Sequence, residues 1–553
     1  MSETVARPDE SPSVLPALAT GTLVAAVAAC FVAQVGVSIP ATTQGYVNQD
    51  LHVTSTTLTW VSDAFMVPVT LLELSFGVVG DLFGRKRLLA AGAALMALGG
   101  VLSFLTPEGH GAFLLLTGQA VAGIGAAAIF PTSIAMIAHG THTVHERARA
   151  LSLWAAALTT GGFVSPLMGG VLARVHHAGG EFASWRWAFL AMAVLALVSL
   201  VVTLALARTS SSPEGRSLDW PGQVLIAVAL FTLIYAVVQG AEDGWADPLI
   251  IGSFVASVVF LALFVIVERR VEKPLIQLEL FNNRMFTVSA VVTVLGMFAY
   301  LGTAYGTSIR LSAIQNYTPL KTSVGFVLLN IMGLVLFPVS TRMLQRFNPG
   351  WVLAAGMALI GIGDVALAAI PATHPGLTAI AVPLLVVGAG FKTAVTAITV
   401  VAVNSVPTAK AGMASGATSM LRDFGLTLGP AIVAAIALTN ASNAIAAKVS
   451  ATPSLKQALA GFNSSTKVPE GLKEAVGSGP LGANAIPDPP NPLKDVAFQA
   501  LSHGYGIAYL VCGIAALLAA LIAAALLGGR QHSHAFVEAA PETGDAGARG
   551  GRR

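Results

Sequence analysis

The sequence predicts an all-α integral membrane protein with about fourteen spanning helices, and three observations carry that reading. Of the 553 residues, 55% are hydrophobic and only 10% charged, with a mean hydropathy of +0.76. That is more apolar surface than a water-soluble core can bury. Apolar runs of roughly 20 residues, the length that crosses a bilayer as a helix, recur from near the N-terminus to Leu527. None alternates with period two, which argues against strands.

Polar breaks place the spans at 17–40, 57–80, 88–106, 112–138, 150–173, 187–207, 221–239, 247–267, 286–309, 322–341, 350–370, 378–402, 414–438 and 505–527. No cleavable signal is expected before the first. With the N-terminus placed in the cytoplasm, twenty of the 30 Lys and Arg residues fall on the inner side and nine on the outer, and Lys392 lies within a span. Five of the nine sit in one long outer loop, where the positive-inside bias is weak. Both termini are therefore expected in the cytoplasm.

That loop, 440–504, is rich in Pro, Gly and Ser and carries no catalytic signature, so it reads as a cap or spacer. The polar tails, 1–16 and 531–553, read as disordered. A net charge of +3 with dispersed basic residues gives no support for nucleic-acid binding. The two cysteines, Cys30 and Cys512, lie inside apolar runs and read as packing residues. His139, His142 and His145 have a spacing that suits a metal on a helix, but they lack companion ligands, so no metal site is assigned.

The most specific pattern follows the second span, in "GVVGDLFGRKRLL" at 77–89. Gly77, Gly80 and Gly84 let a short loop turn sharply and neighbouring helices approach, while Asp81 can exchange salt bridges with Arg85, Lys86 and Arg87. A simple positive-inside anchor explains the cations but not the Gly-Asp spacing. This stretch resembles the signature of the major facilitator superfamily, with Leu82 where an arginine is usual, and the chain is similar in particular to its fourteen-helix drug/proton antiporter family. In "GGFVSPLMGG" at 161–170, Gly161, Pro166, Gly169 and Gly170 resemble that family's antiporter motif, with Ser165 in place of a usual glycine. Proline removes a backbone donor and small residues permit close packing, so a bendable helix at a bundle interface follows. Further similar stretches are "SWRWAFL" (184–190), "LDWPG" (218–222), "PLIQLELFNNR" (274–284) and "AGMASGATSMLRDFG" (411–425). The resemblance implies a six-helix bundle over 17–208, two linker helices over 219–267, and a second six-helix bundle over 286–527 that rocks against the first around a central cavity.

The departures from the family are informative. The family's first-span acid falls near Phe31, in the run that also carries Gln34, and Gln119 stands where a fourth-span arginine is usual. Acids occur instead at Asp63, Glu73 and Asp364. Asp63, near the end of the second span, reads either as a solvated helix terminus or as functional. Glu73 lies deeper, and an intramembrane acid usually faces a cavity or a partner; it serves either as a proton carrier or as a buried structural hydrogen bond. Lys392 lies at a depth similar to that of Asp364, on the neighbouring span. It either forms a cavity site for substrate or proton, or pairs statically with Asp364, or faces lipid. Arg422 and Asp423 are adjacent in sequence, so they are expected to face different sides of the helix and to bond elsewhere, with a gate as one role. Arg310 reads as a snorkelling interface residue.

No Walker pattern, G-x-S-x-G or H-E-x-x-H occurs, so ATP hydrolysis and embedded hydrolase chemistry lack support. The expectation is a plasma-membrane transporter, not an enzyme, that exports amphiphilic organic compounds in exchange for protons. Its partners are a small amphiphile, protons and lipid; it needs no cofactor beyond the proton gradient, and its oligomeric state stays open. Export of one endogenous metabolite or lipid is the alternative, and a non-transporting membrane sensor is a third reading.

Overall fold

The computed structural model describes residues 20–108, 111–141, 144–211, 218–271, 274–372, 376–406, 411–454 and 494–529. The expected tails, residues 455–493 of the outer loop, His142 and the side chain of His145 lie outside the described residues.

The first span is α1 (Thr20–Ser38), which bends at Pro40 into α2 (Pro40–Leu51). The first bundle continues through α3 (Ser55–Phe83), α4 (Arg85–Phe104), α5 (Phe113–Gly140), α6 (Val144–Leu172) and α7 (Arg186–Leu206). Two linker helices follow, α8 (Trp220–Asp243) and α9 (Pro248–Glu268). The second bundle comprises α10 (Arg284–Ile309), α11 (Pro319–Val335), α12 (Phe337–Arg346), α13 (Pro349–Ala368), α14 (Leu377–Asn404), α15 (Ala411–Ala451) and α16 (Lys494–Leu527). Among the described residues, 13 helices are long and apolar enough to cross a membrane.

Two boundaries differ from expectation. The tenth span is not one helix over 322–341 but α11 and α12, broken at Leu336, because Pro338, in the first turn of α12, cannot donate a backbone hydrogen bond. The outer loop is also shorter than 440–504, since α15 runs on to Ala451 and α16 begins at Lys494. Both extensions continue a helix past its apolar stretch, where hydropathy gives no cue.

The two bundles repeat one packing scheme. In the first, α4 packs on α5 and α7, and α1 on α5, α6 and α7; in the second, α13 packs on α14 and α16, and α10 on α14, α15 and α16. Each of these pairs joins helices of the same rank in its own bundle. Such repeats place a site at their interface. The α4–α5 and α13–α14 seams are closed alike by facing glycines. A Cβ on Gly92 would stand 2.7 Å from the carbonyl oxygen of Gly125, and one on Gly390 would stand 2.6 Å from that of Gly356. Without side chains at these points the backbones approach closely, which is how helices associate in lipid.

Between bundles the contacts are reciprocal. The second span of each half meets the fifth of the other: α3 packs on α15 and α6 on α11. Linker helix α8 touches both members of the first seam, α3 and α15, and carries α9 on its far side. The "LDWPG" stretch explains its start: Asp219 Oδ1 accepts from the Gly222 amide at 2.9 Å and Pro221 sits in the first turn. Gln223 then bonds Ser75 and the Leu71 carbonyl, fastening α8 to α3.

Candidate functional site: a cavity between the bundles

A cavity of about 170 Å³ lies between the bundles, walled by α1, α3, α5 and α6 on one side and α10, α11, α14 and α15 on the other. Most of its wall is apolar: Val37, Met66, Val69, Phe130, Leu158, Leu301, Phe326 and Leu329. Tyr300 and Phe391 stack against each other with ring centroids 3.5 Å apart and planes 6° from parallel. The few polar groups are Gln34, Ser38, Thr159, Asn330, Lys392, Arg422 and Asp423. An apolar enclosure with sparse polar groups is the usual make-up of a small-molecule site.

Lys392 reaches across the gap between bundles, and its Nζ donates to Thr159 Oγ1 of α6 at 3.2 Å. Asp364 turns elsewhere: its Oδ1 accepts from Thr303 of α10 at 2.7 Å. Depth alone had placed the two near each other, but rotation about the helix axes separates them, Lys392 facing the cavity and Asp364 facing α10. Asp364 lies outside the cavity wall.

Arg422 and Asp423 pair with each other, contrary to expectation. Arg422 Nε and Nη2 donate to the two carboxylate oxygens of Asp423 at 2.8 and 3.1 Å. Adjacent positions do point apart at Cβ, but the arginine stem is long enough to fold back across the helix surface. Glu73 of α3 meets this pair from the opposite bundle, close enough for its carboxyl to interact electrostatically with both Asp423 and Arg422. One turn away on α3, Thr70 Oγ1 lies 2.7 Å from Thr427 Oγ1 of α15. The α3–α15 seam thus holds two buried carboxyls and one half-buried guanidinium, a set that is electrically neutral when one carboxyl carries a proton.

Asp63 is not a solvated terminus. It is fully buried on α3, and neither carboxyl oxygen has a hydrogen-bond partner among the described residues. Helix α3 starts at Ser55, capped by Thr54, so Asp63 sits about two turns inside it. Its neighbour Tyr305 lies 2.9 Å from Thr59 Oγ1. Gln119 Nε2 donates to the Val61 carbonyl at 3.2 Å, tying α5 to α3. Neither Asp63 nor Gln119 reaches the cavity wall. Arg310 is not a snorkelling residue either: it is 1% exposed, and its guanidinium donates to the carbonyls of Ile370 and Pro371 at 2.9 Å.

The 77–87 motif forms a compact corner at one end of the first bundle. Gly84, at φ 103°, is the whole connection between α3 and α4, a conformation that a side chain would strain. Asp81 and buried Arg85 form an ion pair at 2.6 Å. The Arg85 amide donates to the Ser210 carbonyl and Lys86 Nζ to that of Leu204, so the corner grips the end of α7. Arg87 is exposed. Gly80 faces Leu88 and Thr132, and Gly77 faces Pro131 on α5.

On α6, Gly161 packs on the Phe31 carbonyl and Gln34, Gly169 on Thr42, and Gly170 on α11 near Leu320; Pro166 lines the cavity. Ser165, which departs from the family pattern, donates to the Val35 carbonyl at 2.9 Å. A serine fits there because its hydroxyl finds an acceptor on α1.

Sequence reasoning did not single out Tyr300, Phe391, Asn330 or Asp50. Aromatic and amide residues inside apolar runs carry no spacing cue. The partner of "SWRWAFL" is Asp50, whose Oδ2 accepts from Trp185 Nε1 at 2.9 Å and Arg186 Nη1 at 2.5 Å.

Comparison with known proteins agrees with this architecture. A family model described as the Major Facilitator Superfamily matches residues 24–430. The multidrug resistance protein Stp of Mycobacterium tuberculosis is 29% identical over 379 residues, 68% of this chain and 68% of that protein. The tetracenomycin C resistance and export protein of Streptomyces glaucescens is 25% identical over 481 residues, 86% of each. The puromycin resistance protein of Streptomyces alboniger is 32% identical over 324 residues, 57% of this chain and 62% of that one. Among solved structures, an inward-facing bacterial homologue of the human lysosomal transporter Spinster has a TM-score of 0.59 at 14% identity, covering 91% of this chain and 95% of that one. The partially occluded xylose transporter XylE from E. coli has a TM-score of 0.56 at 12% identity, covering 92% and 99%. At such identities the structural likeness shows the fold alone.

Proposed function

Because the chain belongs to the Major Facilitator Superfamily, we propose that it exports amphiphilic organic compounds of the drug and antibiotic type across the plasma membrane, with both termini in the cytoplasm. Relatives named for multidrug, tetracenomycin and puromycin resistance support the substrate type. The observation that carries the reading is the mostly apolar cavity between two bundles that meet through reciprocal seams. In alternating access, the bundles rock about such a site so that one seam parts while the other closes.

Glu73 is the proposed proton carrier, and the proton gradient the energy source, with no further cofactor. Protonated, it completes a neutral set with Arg422 and Asp423 and lets α3 and α15 stay in contact. Ionised, it adds a second buried negative charge beside Asp423, and the seam is stable only if water reaches it. Proton transfer therefore biases the same seam that rocking must open. Export of one endogenous metabolite is the second reading, favoured by the charged groups in the cavity wall.

The test is proton movement in proteoliposomes carrying an internal pH dye, challenged with cationic, neutral and anionic amphiphiles. Substrate-dependent proton flux in the wild type that disappears in Glu73→Gln supports the proposal. Flux that survives in Glu73→Gln removes Glu73 from the coupling, and no flux with any compound from folded protein removes proton-coupled export.

A further inference from the structure

We propose that Asp63 is a second proton-binding site, separate from Glu73: a latch that lets the end of the bundles placed outside by the proposed orientation close only after its carboxyl has taken a proton from external water. This rests on the reading of the chain as a transporter with two rocking bundles and adds a gate to it.

The argument begins with what Asp63 lacks. It is 0% exposed, and neither carboxyl oxygen has a hydrogen-bond partner among the described residues. Glu73 has the Arg422 guanidinium close by, and Asp81 has its ion pair with Arg85. Among the described residues no cation acts on Asp63. The titratable group beside it is Tyr305 of α10, and α5 supplies the neutral Gln119 nearby on α3. The charged pair that α15 turns toward α3 answers Glu73, Asp50 on α2 is held by Arg186, and Tyr235 of α8 lies against Trp60. A carboxylate sealed from water without cation or donor is far less stable than the neutral acid. With this end closed, Asp63 therefore carries its proton.

Its position makes that proton a condition for closure. Thr59, one turn before Asp63 on α3, has its Oγ1 2.9 Å from the Tyr305 hydroxyl. Gln44 of α2 donates to Ser62 Oγ at 3.0 Å and accepts from Ser308 of α10 at 2.9 Å. These contacts link the first bundle to the second directly beside Asp63, and all are between neutral groups. When the bundles part here the bonds to Tyr305 and Ser308 break, water reaches the carboxyl, and it ionises. Closing buries it again, so a proton from external water must first return to one of its oxygens; on reopening, that proton leaves to the same side. It is not part of the exchange assigned to Glu73.

The two carboxyls flank the substrate space. Met66 and Val69 of α3 line the cavity; Asp63 lies one turn before them and Glu73 one turn after, about 15 Å apart along the helix. Each is covered by a different helix of the second bundle, Asp63 by α10 and Glu73 by α15.

The experiment places spin labels at Pro107→Cys and Thr378→Cys, exposed positions at this end of the first and second bundles, in purified full-length protein; the native Cys30 and Cys512 are buried. Double electron–electron resonance then reads the distance between labels from about pH 5 to about pH 9, in the wild type and in Glu73→Gln, where the other carboxyl cannot titrate. The closed form holds one proton more than the open form, so raising the pH should shift the population toward the longer distance, by up to about tenfold in the ratio per pH unit. Adding Asp63→Asn or, as a second variant should the first misfold, Asp63→Ala should remove that shift in both backgrounds. The same shift with and without Asp63, or no shift in Glu73→Gln, overturns the proposal.

Infrared difference spectra supply a second readout. Wild type minus Asp63→Asn at neutral pH should show the C=O stretch of a protonated carboxyl, and a carboxylate stretch in its place overturns the proposal. Neither measurement needs a substrate, so failure of the latch is read separately from failure of the export reading, which the proteoliposome assay tests.

Discussion

Replacing Asp50 with alanine is expected to destabilise the first bundle more than any exposed substitution, and the size of the effect follows from the contacts. Asp50 Oδ2 holds Arg186 Nη1 at 2.5 Å and Trp185 Nε1 at 2.9 Å, and the Arg186 side chain is 1% exposed. Arg186 has further acceptors in the carbonyls of Thr106 at 2.9 Å and Ala183 at 3.2 Å, but among the described residues Asp50 is the one carboxylate it pairs with. Removing one partner of a buried ion pair costs about 3–5 kcal/mol because the other charge stays buried, and the orphaned indole N–H adds about 1 kcal/mol. A loss near 4 kcal/mol lowers the ratio of folded to unfolded protein by about three decades. Asp50→Asn keeps an acceptor and loses only the charge, so it should cost about half as much. Chemical denaturation of the purified protein in detergent, followed by fluorescence, measures both variants against the wild type. Arg186→Met removes the charge that Asp50 answers, so Asp50→Ala added to Arg186→Met should cost about 1 kcal/mol instead of about 4. Additive costs in that double-mutant cycle would refute the reasoning, since they would mean that the pair contributes nothing as a pair.

Other outcomes follow from individual contacts. Gly92→Val and Gly390→Val each push a side chain into the facing carbonyl, at Cβ distances of 2.7 and 2.6 Å, and should lower stability by more than 2 kcal/mol, seen as loss of the monodisperse peak on size-exclusion chromatography after mild heating. Ser165→Ala forfeits one hydrogen bond to Val35 and should cost about 1 kcal/mol while leaving proteoliposome transport measurable. Arg422→Gln leaves Glu73 and Asp423 without their cation; substrate-dependent proton flux should fall at least tenfold, and normal flux would show that the guanidinium is not part of the coupling set.

Much of the fold was legible because a bilayer imposes one strong rule, an apolar run of fixed length per crossing. The rule fails where the polypeptide departs from straight helices in lipid: at Pro338, which splits the tenth span, and at the polar ends of α15 and α16, which stay helical beyond the hydrocarbon. Charged residues inside apolar runs were equally visible, because their cost marks them, and Lys392, Arg422 and Asp423 do line the cavity between the bundles, with Glu73 beside the last two. What hydropathy cannot encode is rotation about the helix axis. It placed Asp364 beside Lys392 by depth, and it separated Arg422 from Asp423 by counting Cβ directions without allowing for the length of the arginine stem.

The two reciprocal seams carry opposite chemistry, which bears on how coupling would work. Where α3 meets α15, the contact includes Glu73, Arg422 and Asp423. Where α6 meets α11, the contacts are small and neutral: Gly333 faces the Thr159 methyl, Gly162 faces Asn330, and Gly170 packs on Pro319 and Leu320. Protonation changes the energy of the first seam by changing a buried charge, but it has no charge to change among these contacts of the second. A symmetric pair of bundles is thereby given an asymmetric lever.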